Sequence, residues 1–137
     1  MKDKDMAQTV LIIEDNEQNM YLMTFLLEKA GFTVVQAFHG RDGLRLAGEL
    51  KPLAILLDIQ LPEINGYQVA ESLKKNPDVS AIPIVAVTSY AMPGDRERIL
   101  AAGATGYLEK PINPETFVSQ IREYLPPQLR DDRRTPQ

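Results

Sequence analysis

Three short, continuous apolar runs constrain this chain more than any other feature. They are Thr9-Val10-Leu11-Ile12-Ile13, Leu53-Ala54-Ile55-Leu56-Leu57 and Pro83-Ile84-Val85-Ala86-Val87. Runs of that length, bounded by turn residues, are strands buried on both faces, as in a parallel sheet covered by helices. A shorter strand follows at Gly106 to Glu109, and a weaker alternating one spans Phe32 to Phe38. Helical spacing fills the gaps: Asn16 to Ala30, Gly40 to Leu50, Gly66 to Lys75, Pro93 to Ala102 and Pro114 to Leu125. Gly31, Lys51-Pro52, Asn76-Pro77-Asp78, Gly103 and Pro126-Pro127 stop these helices in turn. Strands alternating with helices at this spacing predict a doubly wound five-stranded parallel sheet.

The apolar runs end in chemistry. Glu14-Asp15 closes the first, Asp58 the Leu53 run, Thr88-Ser89 the Pro83 run, and Lys110-Pro111 follows the last strand. Parallel strands point their carboxyl ends one way, so these residues converge on one edge, where open α/β sheets bind ligands. The Phe32 strand brings nothing comparable and fits an outer position, which predicts the order 2-1-3-4-5. The helix beginning near Asn16 carries a core stripe of Met23, Leu26, Leu27 and Ala30, with Met20, Leu22 and Phe25 adding apolar surface beyond it. That addition is either a wide core face or scattered exposed apolar residues, or else a docking surface for a donor's helix pair.

Three carboxylates gathered at one edge repel. At ~4 Å and an effective dielectric near 20, each pair costs about 4 kcal/mol, so the cluster calls for a cation. The chain has no cysteine and a single histidine, His39, which excludes thiolate and multi-histidine metal sites. Oxygen ligands point to Mg²⁺, with Mn²⁺ as its substitute. Lys110 suits a phosphoryl oxygen and the Thr88 hydroxyl can donate to another. Asp58 is then the nucleophile candidate, because a carboxylate can attack phosphorus to give an acyl phosphate. Glu14 and Asp15, which come as a pair, suit the metal better.

The joint pattern of Glu14-Asp15, Asp58, Leu61-Pro62…Asn65-Gly66, Thr88 and Lys110-Pro111 resembles the receiver domain of two-component response regulators over roughly residues 8 to 126. The close run of matches further resembles DivK-type stand-alone receivers. The resemblance implies a flavodoxin-like (βα)₅ fold and a cis Lys110-Pro111 bond. It implies Mg²⁺ held by Glu14, Asp15, Asp58 and the Gln60 backbone carbonyl. It implies a phosphoryl group on Asp58, taken from a sensor histidine kinase or a histidine phosphotransfer protein. It makes Thr88 and Tyr107 the switch pair and the fourth helix, fifth strand and fifth helix the readout surface. Read without the family, Tyr107 is an ordinary half-buried strand aromatic. Gln60 and Tyr90 either flank the attacking water and tune phosphoryl lifetime or are plain loop side chains.

The expected activity is signalling chemistry on the chain itself, without metabolite turnover. A net charge of −4 gives no general attraction to nucleic acid or anionic membrane, and no apolar run reaches the length of a span. A cytoplasmic protein, monomeric or weakly dimeric, with output through a protein partner is therefore expected. Residues 1–7 and 127–137 are polar and expected to be disordered, and 137 residues leave no room for a DNA-binding output domain. A receiver cut from a hybrid kinase would look the same. A haloacid dehalogenase-type phosphohydrolase needs Asp-x-Asp on the first strand, whereas here position 60 is Gln and Asp58 is on the third. A flavodoxin's phosphate loop would meet Glu14-Asp15, and a degenerate scaffold would not keep Asp58, Thr88 and Lys110.

Overall fold

The computed structural model describes residues 8–89 and 94–125. Along the chain it forms β1 (Thr9–Ile13), α1 (Glu17–Lys29), β2 (Thr33–Ala37), α2 (Gly40–Leu50), β3 (Ala54–Asp58), α3 (Gly66–Lys75), β4 (Ile84–Thr88), α4 (Asp95–Ala101), β5 (Gly106–Glu109) and α5 (Phe117–Arg122). The sheet is all parallel in the order β2-β1-β3-β4-β5, as the distribution of polar strand ends predicts. β1, β3 and β4 are buried at every position, which is why their sequences do not alternate, while β2 lies at an edge and is half exposed.

Strand alternation divides the core into two layers. Leu11, Ile13, Ile55, Leu57, Ile84 and Ala86 face α2, α3 and α4 through Ala47, Val69, Leu73 and Ile99. Val10, Ile12, Leu56, Val85 and Val87 face α1 and α5 through Met20, Met23, Leu27, Phe117 and Ile121. Each large aliphatic side chain so buried contributes about 1.5–3 kcal/mol.

Several element details depart from the sequence reading. Met20 belongs to the α1 core stripe, buried with Met23 and Leu27, while Leu26 and Ala30 are only partly covered. The large apolar groups of α1 left outside are Tyr21 and Phe25, whose rings stack with centroids 6.3 Å apart. The period places Met20, three residues before Met23, on the sheet side and turns Phe25 away. α5 is shorter than Pro114 to Leu125. At its start the Asn113 side chain accepts from Glu115 N (2.9 Å) in a turn, and at its end Tyr124 N and Leu125 N donate to carbonyls three residues back. Tyr90, Pro93, Pro126-Pro127 and the polar ends 1–7 and 127–137 lie outside the described residues.

Candidate functional site

Strand register assembles the site. Ile13 pairs with Leu57, so Glu14 leaves β1 beside Asp58. Asp58 pairs with Val87 and Thr88 with Glu109, so Thr88 and Lys110 each lie one step further along. Glu14, Asp58 and Thr88 are buried, whereas Asp15 is exposed. Successive residues leaving a strand point to opposite sides, which separates the environments of two adjacent carboxylates. Ligand oxygens of Glu14, Asp15 and Asp58 all lie within 4.8 Å of one another.

Lys110 reaches into this cluster. Its Nζ is 3.3 Å from Glu14 Oε1 and 3.4 Å from Asp58 Oδ1, so it bridges the two buried carboxylates. Asn16 N donates to Glu14 Oε2 (3.2 Å), and the Asn16 side chain caps α1 by accepting from Asn19 N (2.8 Å). Glu14 Oε1 is in ion-pair range of Lys110 yet accepts no hydrogen bond among the described residues. Burial pushes the Glu14 carboxyl up to about 7, with repulsion from Asp58 adding and attraction to Lys110 opposing. A buried carboxylate oxygen that has an ion-pair partner but no hydrogen bond, beside two more acid groups, suits a divalent cation with oxygen ligands.

The loop after β3 is held close to the Asp58 carboxylate. Gln60 N donates to Asp58 Oδ1 (2.9 Å), and Gly66 N to Ile59 O (3.0 Å). A Cβ on Gly66 would lie 2.4 Å from Ile59 Cα and 2.6 Å from Asp58 O, so only glycine lets α3 start this near the site. Asn65 and Gln68 form a reciprocal capping box that fixes that start. Asn65-Gly66 is legible in the sequence as a helix start; the close approach to Asp58 is visible only in three dimensions. Gln60 Oε1 also accepts from Ser89 N (3.3 Å), tying the β3 loop to the β4 loop. Sequence reasoning missed this link, since nothing in the spacing of residues 60 and 89 signals it.

Tyr107 on β5 is partly buried and packs against the α2–α4 side of the core. It lines an open cleft of about 390 Å³ with Leu108, Glu109, Pro111, Asn113, Thr116 and Gln120. The Lys110-Pro111 peptide is cis. Of the expected site residues, Glu14, Asp15, Asp58, Gln60, Thr88 and Lys110 thus gather at one edge, Tyr107 lies further back on β5, the strand that Lys110 follows, and Tyr90 is outside the described residues.

Comparison with known proteins agrees with this geometry. The family model of the response regulator receiver domain matches residues 10–122. The polar-differentiation response regulator DivK of Brucella anthropi is 43% identical over 120 residues, covering 88% of this chain and 98% of its own length. The structure superposes on the chemotaxis protein CheY4 of Vibrio cholerae with a TM-score of 0.81 at 28% identity, covering 85% of this chain and 98% of the other. It also matches the receiver domain of sensor histidine kinase PA1611 of Pseudomonas aeruginosa, which has a magnesium ion coordinated in its active-site cleft. That match has a TM-score of 0.79 at 30% identity and covers 86% and 97% of the two chains.

Proposed function

This chain belongs to the response regulator receiver family, and on that footing we propose that it is a phosphorylation-controlled binding module whose phosphoacceptor is Asp58. The observation that carries this reading is the convergence of Glu14, Asp15 and Asp58, with Lys110 bridging Glu14 and Asp58 and Glu14 Oε1 accepting no hydrogen bond. Glu14, Asp15 and Asp58, with the Gln60 backbone carbonyl, would hold Mg²⁺, or Mn²⁺ in its place. When bound, the cation neutralises charge on the cluster and on the phosphoryl oxygens. The fold's own contribution is positioning. Gln60 N and Lys110 Nζ both approach Asp58 Oδ1, fixing the carboxylate plane toward the donor. An Asp58 oxygen forms the new O–P bond as the N–P bond of a phosphohistidine breaks and the imidazole departs. Lys110 offsets charge on the group in transit, so rate comes from placement and electrostatics.

The transferred group adds three acceptor oxygens and a charge of about −1.5 to −2 at Asp58. Thr88 turns toward it and Tyr107 follows, which remodels the α4–β5–α5 face for a protein partner. Gln60 and Tyr90 set how long the group persists. The donor is a sensor histidine kinase or a histidine phosphotransfer protein, and the Tyr21–Phe25 stack on α1 offers it an exposed apolar contact. The functional unit is residues 8–126, a signalling domain and not a turnover enzyme, in the cytoplasm, monomeric or weakly dimeric. Among the described residues no helix is long and apolar enough to cross a membrane, and the acidic balance disfavours nucleic acid. The likeness to the PA1611 receiver favours a second setting for the same chemistry, a receiver module within a hybrid kinase.

The test is mass spectrometry of the wild type and Asp58→Ala after acetyl phosphate and Mg²⁺. A single phosphoryl adduct on the wild type, absent from D58A and from wild type in EDTA, is expected. An adduct of equal yield in D58A would place the acceptor elsewhere.

A further inference from the structure

The peptide unit that follows Thr88 is held at both ends. Its carbonyl, Thr88 O, accepts from Lys110 N (2.8 Å), and its amide, Ser89 N, donates to Gln60 Oε1 (3.3 Å). The same two residues converge on the acceptor: Gln60 N donates to Asp58 Oδ1 (2.9 Å), and Lys110 Nζ lies 3.4 Å from that oxygen. The four contacts close a ring through Asp58, Gln60, the Thr88–Ser89 peptide and Lys110. A peptide group is planar and moves as a unit, so shifting the main chain at Thr88 strains both of its links at once.

We propose that the Gln60 carboxamide is a positioning residue that latches the Thr88–Ser89 peptide in the unphosphorylated arrangement, and that phosphorylation of Asp58 opens the ring at this link. The inference rests on Asp58 being the acceptor, and it concerns Gln60 as a restraint on the β4 loop rather than as a neighbour of the attacking water. Relative strength decides which link gives. The Lys110 N to Thr88 O bond continues the β4–β5 ladder and is short. The Ser89 link is the longer of the two main-chain attachments, is neutral, and lies where Ser89 is exposed, so water can replace it. A phosphoryl group brings charged acceptor oxygens to the carboxylate Gln60 N already touches, and charged acceptors hold donors more strongly than a carboxamide does. The latch therefore raises the threshold for switching, and its loss lowers it.

The test uses the full ¹⁵N-labelled chain in three forms: wild type, Gln60→Met, which keeps the side-chain length but lacks the acceptor, and Gln60→Glu, which keeps it. Two quantities are read by NMR: the water-exchange rate of the Ser89 amide without ligand, and the midpoint of a beryllofluoride titration with Mg²⁺. Loss of one neutral hydrogen bond predicts Ser89 exchange faster by about two- to tenfold in Q60M, and a beryllofluoride midpoint lowered by a similar factor. Q60E keeps Ser89 exchange at the wild-type rate or slower. Unchanged Ser89 exchange in Q60M overturns the latch. Faster exchange with an unmoved midpoint overturns its bearing on the switch. A wild type that takes up no beryllofluoride overturns the acceptor reading and this inference with it, whatever Ser89 does.

Discussion

Replacing Lys110 by Met should cost the metal-free protein about 3–5 kcal/mol at about pH 8, the usual effect of stripping one partner from a buried ion pair. Lys110 Nζ sits 3.3 and 3.4 Å from two buried carboxylates, each contact a gross attraction of about 5 kcal/mol at an effective dielectric near 20. Without it, Glu14 and Asp58, with oxygens within 4.8 Å, repel by roughly 3–4 kcal/mol on the same scale. Proton uptake limits the damage in acid. Glu14 is already raised from 4.5 to about 7 with Lys110 present, so the folded variant holds a proton there that the unfolded chain releases above about 4.5. The folded form thus binds more protons across that window, and stability falls as pH rises through it. At about pH 5.5 the loss should shrink to well under half its value at about pH 8. Mg²⁺ at ~100 times its Kd should return about 2.7 kcal/mol through linkage. Urea unfolding followed by far-UV circular dichroism, in EDTA and in Mg²⁺ at both pH values, measures all of this. Equal stability of wild type and K110M in EDTA at about pH 8, or the same loss at both pH values, would refute Lys110 as the internal counter-ion of the cluster.

Two further outcomes follow from the same geometry. Mg²⁺ affinity, measured by calorimetry, should weaken as pH drops below about 7, because the Glu14 carboxyl must lose its proton to serve as a ligand; a profile flat from about pH 8 to about pH 5.5 would remove Glu14 from the ligand set. Gly66→Ala should destabilise by about 1–3 kcal/mol in chemical unfolding, because its Cβ would meet the backbone of Ile59 and Asp58. The same substitution should slow adduct formation on Asp58, and an unaffected rate would show that this close approach does not position the acceptor.

Much of the architecture was legible in the residues. A strand buried on both faces has to be apolar throughout, and β1, β3 and β4 therefore stood out, with ends within one residue of those observed. Charged residues cannot sit inside such runs without a partner, so Glu14, Asp58 and Lys110 fell at strand ends, and parallel pairing sent them to one edge. Local chemistry also marked the stop at Gly31, which has a φ of 101°.

What the sequence by itself determined is this order of elements and the edge on which the acid groups meet, because burial and strand direction act on every residue through composition and period alone. The tertiary structure decided the rest. Residues 14 and 15 look equivalent along the chain, yet Glu14 is buried and Asp15 is exposed. How far α1 is covered was also settled by packing: Leu26 is only partly buried, and Phe25 stays exposed, stacked on Tyr21. The ring through Asp58, Gln60, Ser89 and Lys110 joins segments far apart in sequence. Contacts of that kind depend on side-chain rotamers and sub-ångström register between strands, and no local pattern of residues encodes either.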